Sequence, residues 1–241
     1  MIFPISTTID VLNAVVTGVL AYRLFRAYQL EPNSVTLRSF LIAYLCLMFA
    51  YIFLSSSRIF FSNDQGVLAT SFTIGNGFFL LTLAYFSRVV LTFALPKFRQ
   101  PFFVLALTIV ATAFIWSMFS PAQPITDPTT GITSWNITLV PAILSGLLVL
   151  SVLLPSSFLF IRRGLAAKGN RVVRVRSLSL GIGSFLYICS GVFFYATNSE
   201  TLAAINDLLS IFALIIIFLG VAYHRSVTNP PTKNPSAASE L

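Results

Sequence analysis

Charged side chains are scarce in this chain, and their scarcity excludes most soluble proteins. Only 9% of the 241 residues are Asp, Glu, Lys or Arg, whereas 56% are hydrophobic, and the mean hydropathy is +0.88. A soluble domain carries about 25% charged residues. Cysteine is also rare: Cys46 and Cys189 both fall inside apolar runs, so we expect small buried side chains rather than a disulfide. The composition indicates that lipid surrounds most of the surface.

The side chains that carry most membrane chemistry are missing from the apolar runs. Retinal proteins with seven helices need a lysine in the last helix, but Lys97, Lys168 and Lys233 lie outside the runs. The single histidine, His224, stands at the end of the last run without the clustered ligands that a metal needs. Every Asp and Glu maps to the end of a run or to a connection, which disfavours proton-coupled transport and hydrolysis. We therefore expect no enzymatic activity, no metal site and no cofactor.

Long apolar runs are what the chain does contain. A membrane helix needs roughly 20 apolar residues, and these runs are continuous rather than alternating as barrel strands are. A backbone in lipid must satisfy its own hydrogen bonds, so each run predicts a helix. The predicted spans are 7–28, 39–61, 68–94, 102–120, 139–161, 177–197 and 207–224. The expected fold class is all-α: a polytopic membrane bundle of seven transmembrane helices, 1–226, followed by a short disordered cytoplasmic tail, 227–241.

The distribution of charge along the chain predicts an orientation. All basic residues except Arg58 flank alternate connections or follow the last run, and such segments face the cytoplasm. Most of the acidic residues fall on the other side; they are Asp10, Asp64, Asp127, Glu200 and Asp207. The N-terminus is therefore predicted outside and the C-terminus inside, in a multi-pass protein of the cell membrane.

The most basic segment connects the fifth and sixth predicted spans. It contains Arg162, Arg163, Lys168, Arg171, Arg174 and Arg176. We expect these residues to contact the anionic headgroups of the lipid bilayer, each gaining about 1 kcal/mol. A cytoplasmic protein is a further candidate partner, whereas nucleic-acid binding is not expected.

Weakly polar residues inside the predicted spans allow two interpretations. Small and hydroxyl side chains usually let membrane helices approach and bond one another, and the glycines Gly75, Gly77, Gly181 and Gly183 fit that interpretation. Alternatively, the polar residues line a shallow pocket that opens outward. Its candidate ligand-binding residues are Arg58, Asp64, Asn76 and Asn13.

Arg58 is central to the pocket hypothesis because it is the single basic residue on the acidic side. A helix that starts near Arg38 reaches the outer boundary of the hydrocarbon after roughly 30 Å, so Arg58 is predicted there and able to snorkel outward. Its guanidinium could bind a carboxylate or phosphate of a ligand. An ion pair with Asp64 or Asp10 is the structural alternative.

The sequence beyond the polar residues is apolar and predicts a closed inner half. Phe78, Phe79, Leu80 and Leu81 follow Asn76 in the third span, and residues 147–150 follow Ser145 in the fifth. These segments are expected to pack against one another below the pocket.

A weak internal repeat suggests a second architecture. Arg38-Ser39 recurs as Arg176-Ser177, and Ala84-Tyr85 recurs as Ala222-Tyr223 at the same offset. The pairs predict a three-plus-one-plus-three arrangement of spans, as in transporters that bind at a repeat interface. The charge rule alone also places arginines at equivalent ends of spans, so the pattern admits a simpler explanation.

The overall plan resembles the seven-helix N-terminal sensory region of some bacterial membrane histidine kinases. The resemblance lies in the short connections, the basic segment Arg162 to Arg176 and the last span ending in Val221 to Arg225, and the chain stops where the kinase would begin. It implies a non-enzymatic sensor or interaction module with an outward pocket for a small or lipid-like ligand and a basic cytoplasmic face.

A uniport-type carrier of a small neutral solute is the alternative function. The seven-span topology is also similar to that of the sugar-transporting seven-helix family with proline–glutamine motifs. Those motifs are not found in the first and fifth spans, so this alternative rests on topology.

Overall fold

A computed structural model describes residues 5–127, 132–196 and 200–227 of the chain. Most of these residues are in seven α-helices: α1 (Ile5–Leu30), α2 (Val35–Phe60), α3 (Gln65–Ala94), α4 (Arg99–Phe119), α5 (Leu139–Ala166), α6 (Arg171–Ala196) and α7 (Glu200–Val227). A 3₁₀ turn, Pro96–Phe98, precedes α4. Two short antiparallel strands, β1 (Ile125–Thr126) and β2 (Thr133–Ser134), lie between α4 and α5. The predicted all-α fold class is confirmed.

The helices have the length and composition of membrane spans. Helices α1 to α6 each contain a stretch long and apolar enough to cross a membrane, and in α7 the described apolar stretch, Ile205–Gly220, is shorter. The chain therefore has the build of a multi-pass helical membrane protein. The tail predicted for 227–241 falls outside the described residues, apart from the last residue of α7.

Polar side chains in the short connections begin the following helices. Ser34 Oγ accepts a hydrogen bond from Leu37 N at 3.3 Å, and Asp64 Oδ1 accepts one from Val67 N at 3.0 Å. Such N-caps satisfy backbone N–H groups that the first turn of a helix leaves without a partner. Each connection can therefore be short and still start a helix at a defined residue.

The seven helices form one bundle with two distinct ends. Consecutive helices pack on one another, and short connections make such neighbours antiparallel. We call the end where α2 finishes the Arg58 end and the end where α5 finishes the Arg163 end. Helix α7 packs back on α1, and α5 packs on α3 as well as on α4.

Three groups of buried apolar side chains hold the bundle together. One joins α3, α4 and α5 around Leu80 and Leu148, and a second joins α1, α2 and α7 around Leu20 and Leu214. The third is a small group at the Arg58 end that includes Trp135 from the connection between α4 and α5. Buried apolar groups thus extend along the whole bundle, and the smallest of them lies at the Arg58 end.

The structure corrects the predicted packing of residues 147–150. Leu148 is buried, but Leu147 and Leu150 are 55% and 44% exposed. A helix turns by 100° per residue, so four consecutive leucine and valine positions cannot all face one neighbour. Half of this run therefore faces the surroundings of the bundle.

The basic segment between α5 and α6 is mostly helical, which also differs from the prediction. Helix α5 continues through Arg162 and Arg163, and α6 begins at Arg171. Of its six basic residues, Lys168 alone lies in the connection itself. Asn170 Oδ1 accepts a hydrogen bond from Val173 N at 3.1 Å and so caps the start of α6. Helices α5 and α6 therefore extend beyond the apolar part of their runs and include most of the basic residues.

The glycines predicted to allow close packing do so. A Cβ atom on Gly183 would lie 2.9 Å from the carbonyl oxygen of Ala213, and one on Gly181 would lie 3.0 Å from that of Ser157. Ser157 Oγ also donates to the Gly181 carbonyl oxygen at 2.9 Å. Helices α5, α6 and α7 therefore approach one another closely through backbone atoms.

Replacing Gly183 by valine is expected to lower the free energy of unfolding by about 1 to 3 kcal/mol, the usual cost of overpacking. A matched control is Gly146→Ala in α5, because a Cβ atom at Gly146 meets nothing within 4 Å. This control should leave stability unchanged or raise it slightly, since alanine favours helix over glycine. Thermal unfolding in detergent provides the measurement, and equal melting temperatures for both variants would contradict the close packing.

Candidate ligand-binding site

A cavity lies at the Arg58 end, between α1, α2, α3, α6 and α7. The cavity has a volume of about 70 Å³, and part of it is open to solvent. Its wall combines charged and aromatic side chains.

An ion pair between Arg58 and Asp10 forms one wall of the cavity. Arg58 Nη1 donates to Asp10 Oδ2 at 2.7 Å, and the two side chains are 6% and 7% exposed. Asp10 lies in the second turn of α1 and Arg58 in the last turn of α2, so antiparallel packing brings them together. A charge-assisted bond in dry surroundings is strong, and each charge is costly without the other.

The connection between α4 and α5 covers the ion pair. The Trp135 ring lies under the Arg58 guanidinium, 4.8 Å from its carbon Cζ. The next residue, Asn136, has a φ of 44°, a left-handed conformation that asparagine tolerates. Its Nδ2 donates to the Gln123 carbonyl oxygen at 2.9 Å, and Thr138 Oγ1 donates to that of Ser120 at 3.2 Å. These bonds hold the tryptophan in place.

Polar residues of α1, α6 and α7 form a buried network beside the cavity. Ser190 Oγ donates to Asn206 Oδ1 at 2.6 Å, and Asn206 Nδ2 donates to Asp207 Oδ1 at 3.0 Å. Asn13 Nδ2 donates to Ser210 Oγ at 2.9 Å, and Ser210 Oγ donates to the Asp207 carbonyl oxygen at 2.7 Å. The network ties three helices together and places the Asp207 carboxylate at the cavity.

Aromatic residues form the floor of the cavity. The hydroxyl oxygens of Tyr51 and Tyr187 are 2.7 Å apart and share a hydrogen bond. The ring centroids of Phe79 and Tyr187 are 6.0 Å apart. A second space, lined almost entirely by apolar side chains, lies on the far side and shares Leu47, Phe79 and Tyr187 with the first.

The structure brings together some of the residues predicted for the site. Arg58 and Asn76 line the cavity, and Asn13 is buried behind it through its bond to Ser210. Asp64 lies apart, because it is exposed and caps α3. Arg58 does not snorkel outward as predicted, since the buried Asp10 provides a partner inside the bundle.

Two carboxylates that the sequence pattern placed at the ends of spans are buried inside the bundle. Asp10 and Asp207 are 5% and 8% exposed and lie within helices, whereas the sequence pattern placed every acidic residue at a span end or in a connection. Helix α7 begins at Glu200, so Asp207 lies two turns inside it. The sequence feature that could have indicated this burial is the spacing of Asn206 and Asp207 from Ser210. Residues three or four positions apart share a helix face.

The charged side chains that line the cavity, among those described, are Arg58, Asp10 and Asp207. Within the described part of the chain, no three His, Cys, Asp or Glu side chains are grouped so that they could hold a metal ion.

Arg58→Ala and Asp10→Ala are each expected to lower the free energy of unfolding by about 3 to 5 kcal/mol, because either change leaves a buried charge without its partner. The double variant should lose less than the sum of the two, as contacting residues are not additive. Asp64→Ala is the control: it removes a carboxylate from an exposed cap and should cost about 1 kcal/mol. Unfolding in mixed detergent measures all four proteins, and additive losses would contradict the ion pair.

The chain matches no protein-family model, no curated protein and no solved structure.

Proposed function

We propose that this protein is a non-enzymatic membrane sensor that binds a small ligand in the cavity at the Arg58 end. The observation that carries the proposal is a cavity lined by polar and aromatic side chains, which Phe79 and Tyr187 separate from the apolar space beneath it. Tyr51 and Tyr187 are joined there by a hydrogen bond. A sensor needs a ligand-binding site on one side of the membrane and helices whose packing changes when a ligand occupies that site. The ligand contacts would come from five helices, so binding changes how those helices pack.

The apolar space below the floor supports a sensor over a carrier. Its lining includes Leu83, Leu153 and Leu214, and neither Arg88 nor Arg176 of the Arg163 end belongs to it. A carrier needs a continuous polar route between both ends, because alternating access moves solute past the midplane. The polar side chains of this second space are few, and one of them, Thr82, bonds to the Ala43 carbonyl oxygen at 3.1 Å.

The proposed orientation places the Arg58 end outside the cell and the Arg163 end in the cytoplasm, with α7 as the seventh span. The charge asymmetry of the sequence supports it, because basic residues concentrate at cytoplasmic ends. The 28-residue length of α7 supports the seventh span.

The Arg163 end is proposed as the output face. Arg162 and Arg163 border a groove that also contains the apolar residues Leu159 and Phe160. Such a combination suits a phospholipid, whose phosphate meets the arginines while its chains meet the apolar wall. A cytoplasmic protein partner would bind the same basic surface, next to the connection that contains Lys168.

Reporter fusions test the orientation. A reporter placed after residue 226 is expected to read cytoplasmic, and reporters inserted within 122–136 are expected to read exterior. An enzyme active only in the cytoplasm and one active only outside it serve as mutual controls at each position. A C-terminal reporter that reads exterior would contradict the seven-span arrangement, because an odd number of spans places the two termini on opposite sides.

A carrier is the second candidate because the two cavities are adjacent. They share Leu47, Phe79 and Tyr187, so rotation of the two aromatic rings would connect them. The Tyr51 to Tyr187 hydrogen bond would then act as a gate rather than a permanent floor.

Cysteine labelling in vesicles of defined orientation distinguishes the two functions. Leu54→Cys on the cavity wall should react with a membrane-impermeant maleimide from the Arg58 side alone, and Ser184→Cys below the floor should react from neither side. Both variants are made with Cys46 and Cys189 replaced by alanine, and the exposed Gln65→Cys reports the accessible side.

Two outcomes would change the proposal. Labelling of Ser184→Cys from the Arg163 side would favour the carrier, because that side would then reach the midplane. An unreactive Leu54→Cys next to a reactive Gln65→Cys would contradict an open cavity and with it the sensor.

A further inference from the structure

We propose that a groove between α3, α4 and α5 binds one phospholipid with a net negative headgroup, whose acyl chain lies along the groove and whose phosphate contacts Arg162. The inference deepens one part of the proposed function, the lipid contact at the Arg163 end. It assigns the place of the chain and the charge of the headgroup, and it does not depend on the cavity at the Arg58 end.

The groove is large and opens to the outside of the bundle. It has a volume of about 850 Å³ and lies where α4 and α5 pack against the second half of α3. Its wall includes Leu105 and Phe158, which are 55% and 65% exposed. The surroundings of a membrane bundle at this depth are acyl chains. A chain can therefore enter the groove from the side, without passing through the protein.

The hydroxyl groups in the groove already have hydrogen-bond acceptors. Ser87 Oγ donates to the Ala84 carbonyl oxygen at 2.7 Å, and Ser151 Oγ donates to that of Leu148 at 3.2 Å. Both bonds lie within a single helix, and the rest of the described lining is aliphatic, aromatic or proline. A polar ligand would lose its hydrogen bonds to water in such a groove. A hydrocarbon chain has none to lose.

A second groove continues the first towards the Arg163 end and is basic. The two share Val90 and Leu159, and the second has a volume of about 340 Å³ and includes Arg162 and Arg163 in its wall. Pro155, Leu159 and Arg162 are four and three positions apart, so they share one face of α5. One continuous surface therefore changes from apolar to cationic along this helix.

The length of this surface matches one leaflet of a bilayer. A helix rises 1.5 Å per residue, so Ser151 and Arg162 are ~16 Å apart along the axis of α5. Half of the hydrocarbon core of a bilayer is ~15 Å thick. A lipid whose phosphate contacts Arg162 can therefore extend its chain to the far end of the groove, near the middle of the membrane.

The charges favour a headgroup with a net negative charge. Arg162 and Arg163 are exposed, and none of the described residues that line either groove is acidic. A guanidinium has five N–H donors, so it can bind phosphate oxygens as well as another partner. A choline headgroup carries a positive charge that cancels that of its phosphate, whereas an anionic headgroup gains from each arginine near it.

The test uses the purified full chain in detergent, with phosphatidylglycerol, phosphatidylcholine with the same acyl chains, and glycerol 3-phosphate as probes. Phosphatidylglycerol is expected to raise the melting temperature with concentration, as a ligand that binds the folded state must, and native mass spectrometry is expected to show one retained lipid per chain. Phosphatidylcholine should bind roughly tenfold more weakly, since two arginines distinguish the headgroups. Glycerol 3-phosphate has no chains and should have no effect.

Two pairs of substitutions examine the headgroup contact. Arg162→Gln combined with Arg163→Gln is expected to weaken phosphatidylglycerol binding to the level of phosphatidylcholine. Arg171→Gln combined with Arg174→Gln is the control, because it removes the same charge from exposed positions of the same end that line neither groove. The control should bind phosphatidylglycerol as the unaltered chain does.

Two further substitutions examine the chain. Ser151→Trp places a large ring in the groove from an exposed position of α5 and is expected to weaken the binding of both lipids severalfold. Leu150→Trp is its control, because Leu150 is also exposed and does not line the groove. Both substitutions lie outside the buried core, so both variants should fold.

Several outcomes would overturn the inference. Equal binding of the two lipids, or an equal loss for both arginine pairs, would show a general attraction to the basic end without a site. Binding that Ser151→Trp does not weaken would place the chain elsewhere. A dimer that Ser151→Trp dissociates would assign the groove to a second copy of this chain. Each of these results leaves the ligand site at the Arg58 end intact, because labelling of Leu54→Cys tests that site separately.

Discussion

The ion pair between Arg58 and Asp10 is the interaction on which the Arg58 end depends. In apolar surroundings neither charge is tolerated alone, so α1 and α2 must pack in the one register that brings the two side chains to 2.7 Å. The same guanidinium lies against Trp135, which requires the connection between α4 and α5 to fold back over the bundle. A single pair of charges thereby positions two helices and the longest described connection, and it leaves the space beside them open.

The hydrogen bonds of α1, α6 and α7 extend this constraint around the cavity. Apolar contacts tolerate small rotations of a helix, whereas a hydrogen bond such as Asn13 to Ser210 requires particular faces to meet. The Arg163 half uses a different means, since buried leucines and close glycine contacts hold it together. Directional polar contacts therefore surround the cavity at the Arg58 end, whereas apolar contacts predominate in the Arg163 half.

Individual residues show how much of the site can be predicted from the sequence. Arg58 was found because a lone cation among acidic residues is conspicuous, and Asn76 because an amide is rare in an apolar run; both line the cavity. Asp64 was misplaced because a carboxylate just before a helix is equally suited to capping, which is its role here. Asp207 was missed because the predicted span began at residue 207, whereas α7 begins two turns earlier, at Glu200.

What the sequence determined by itself is local: how many helices form, where they begin and end to within a few residues, and how close glycines allow them to approach. Length and apolarity of a run decide these properties without reference to distant residues. The tertiary structure alone decided which polar side chains meet, because Asn13 and Ser210 are 197 positions apart. A run that is apolar on nearly all sides does not indicate which face of its helix turns inward. The cavity forms because the rotation of each helix about its own axis is fixed together with the others, by pairing of buried charges and by packing.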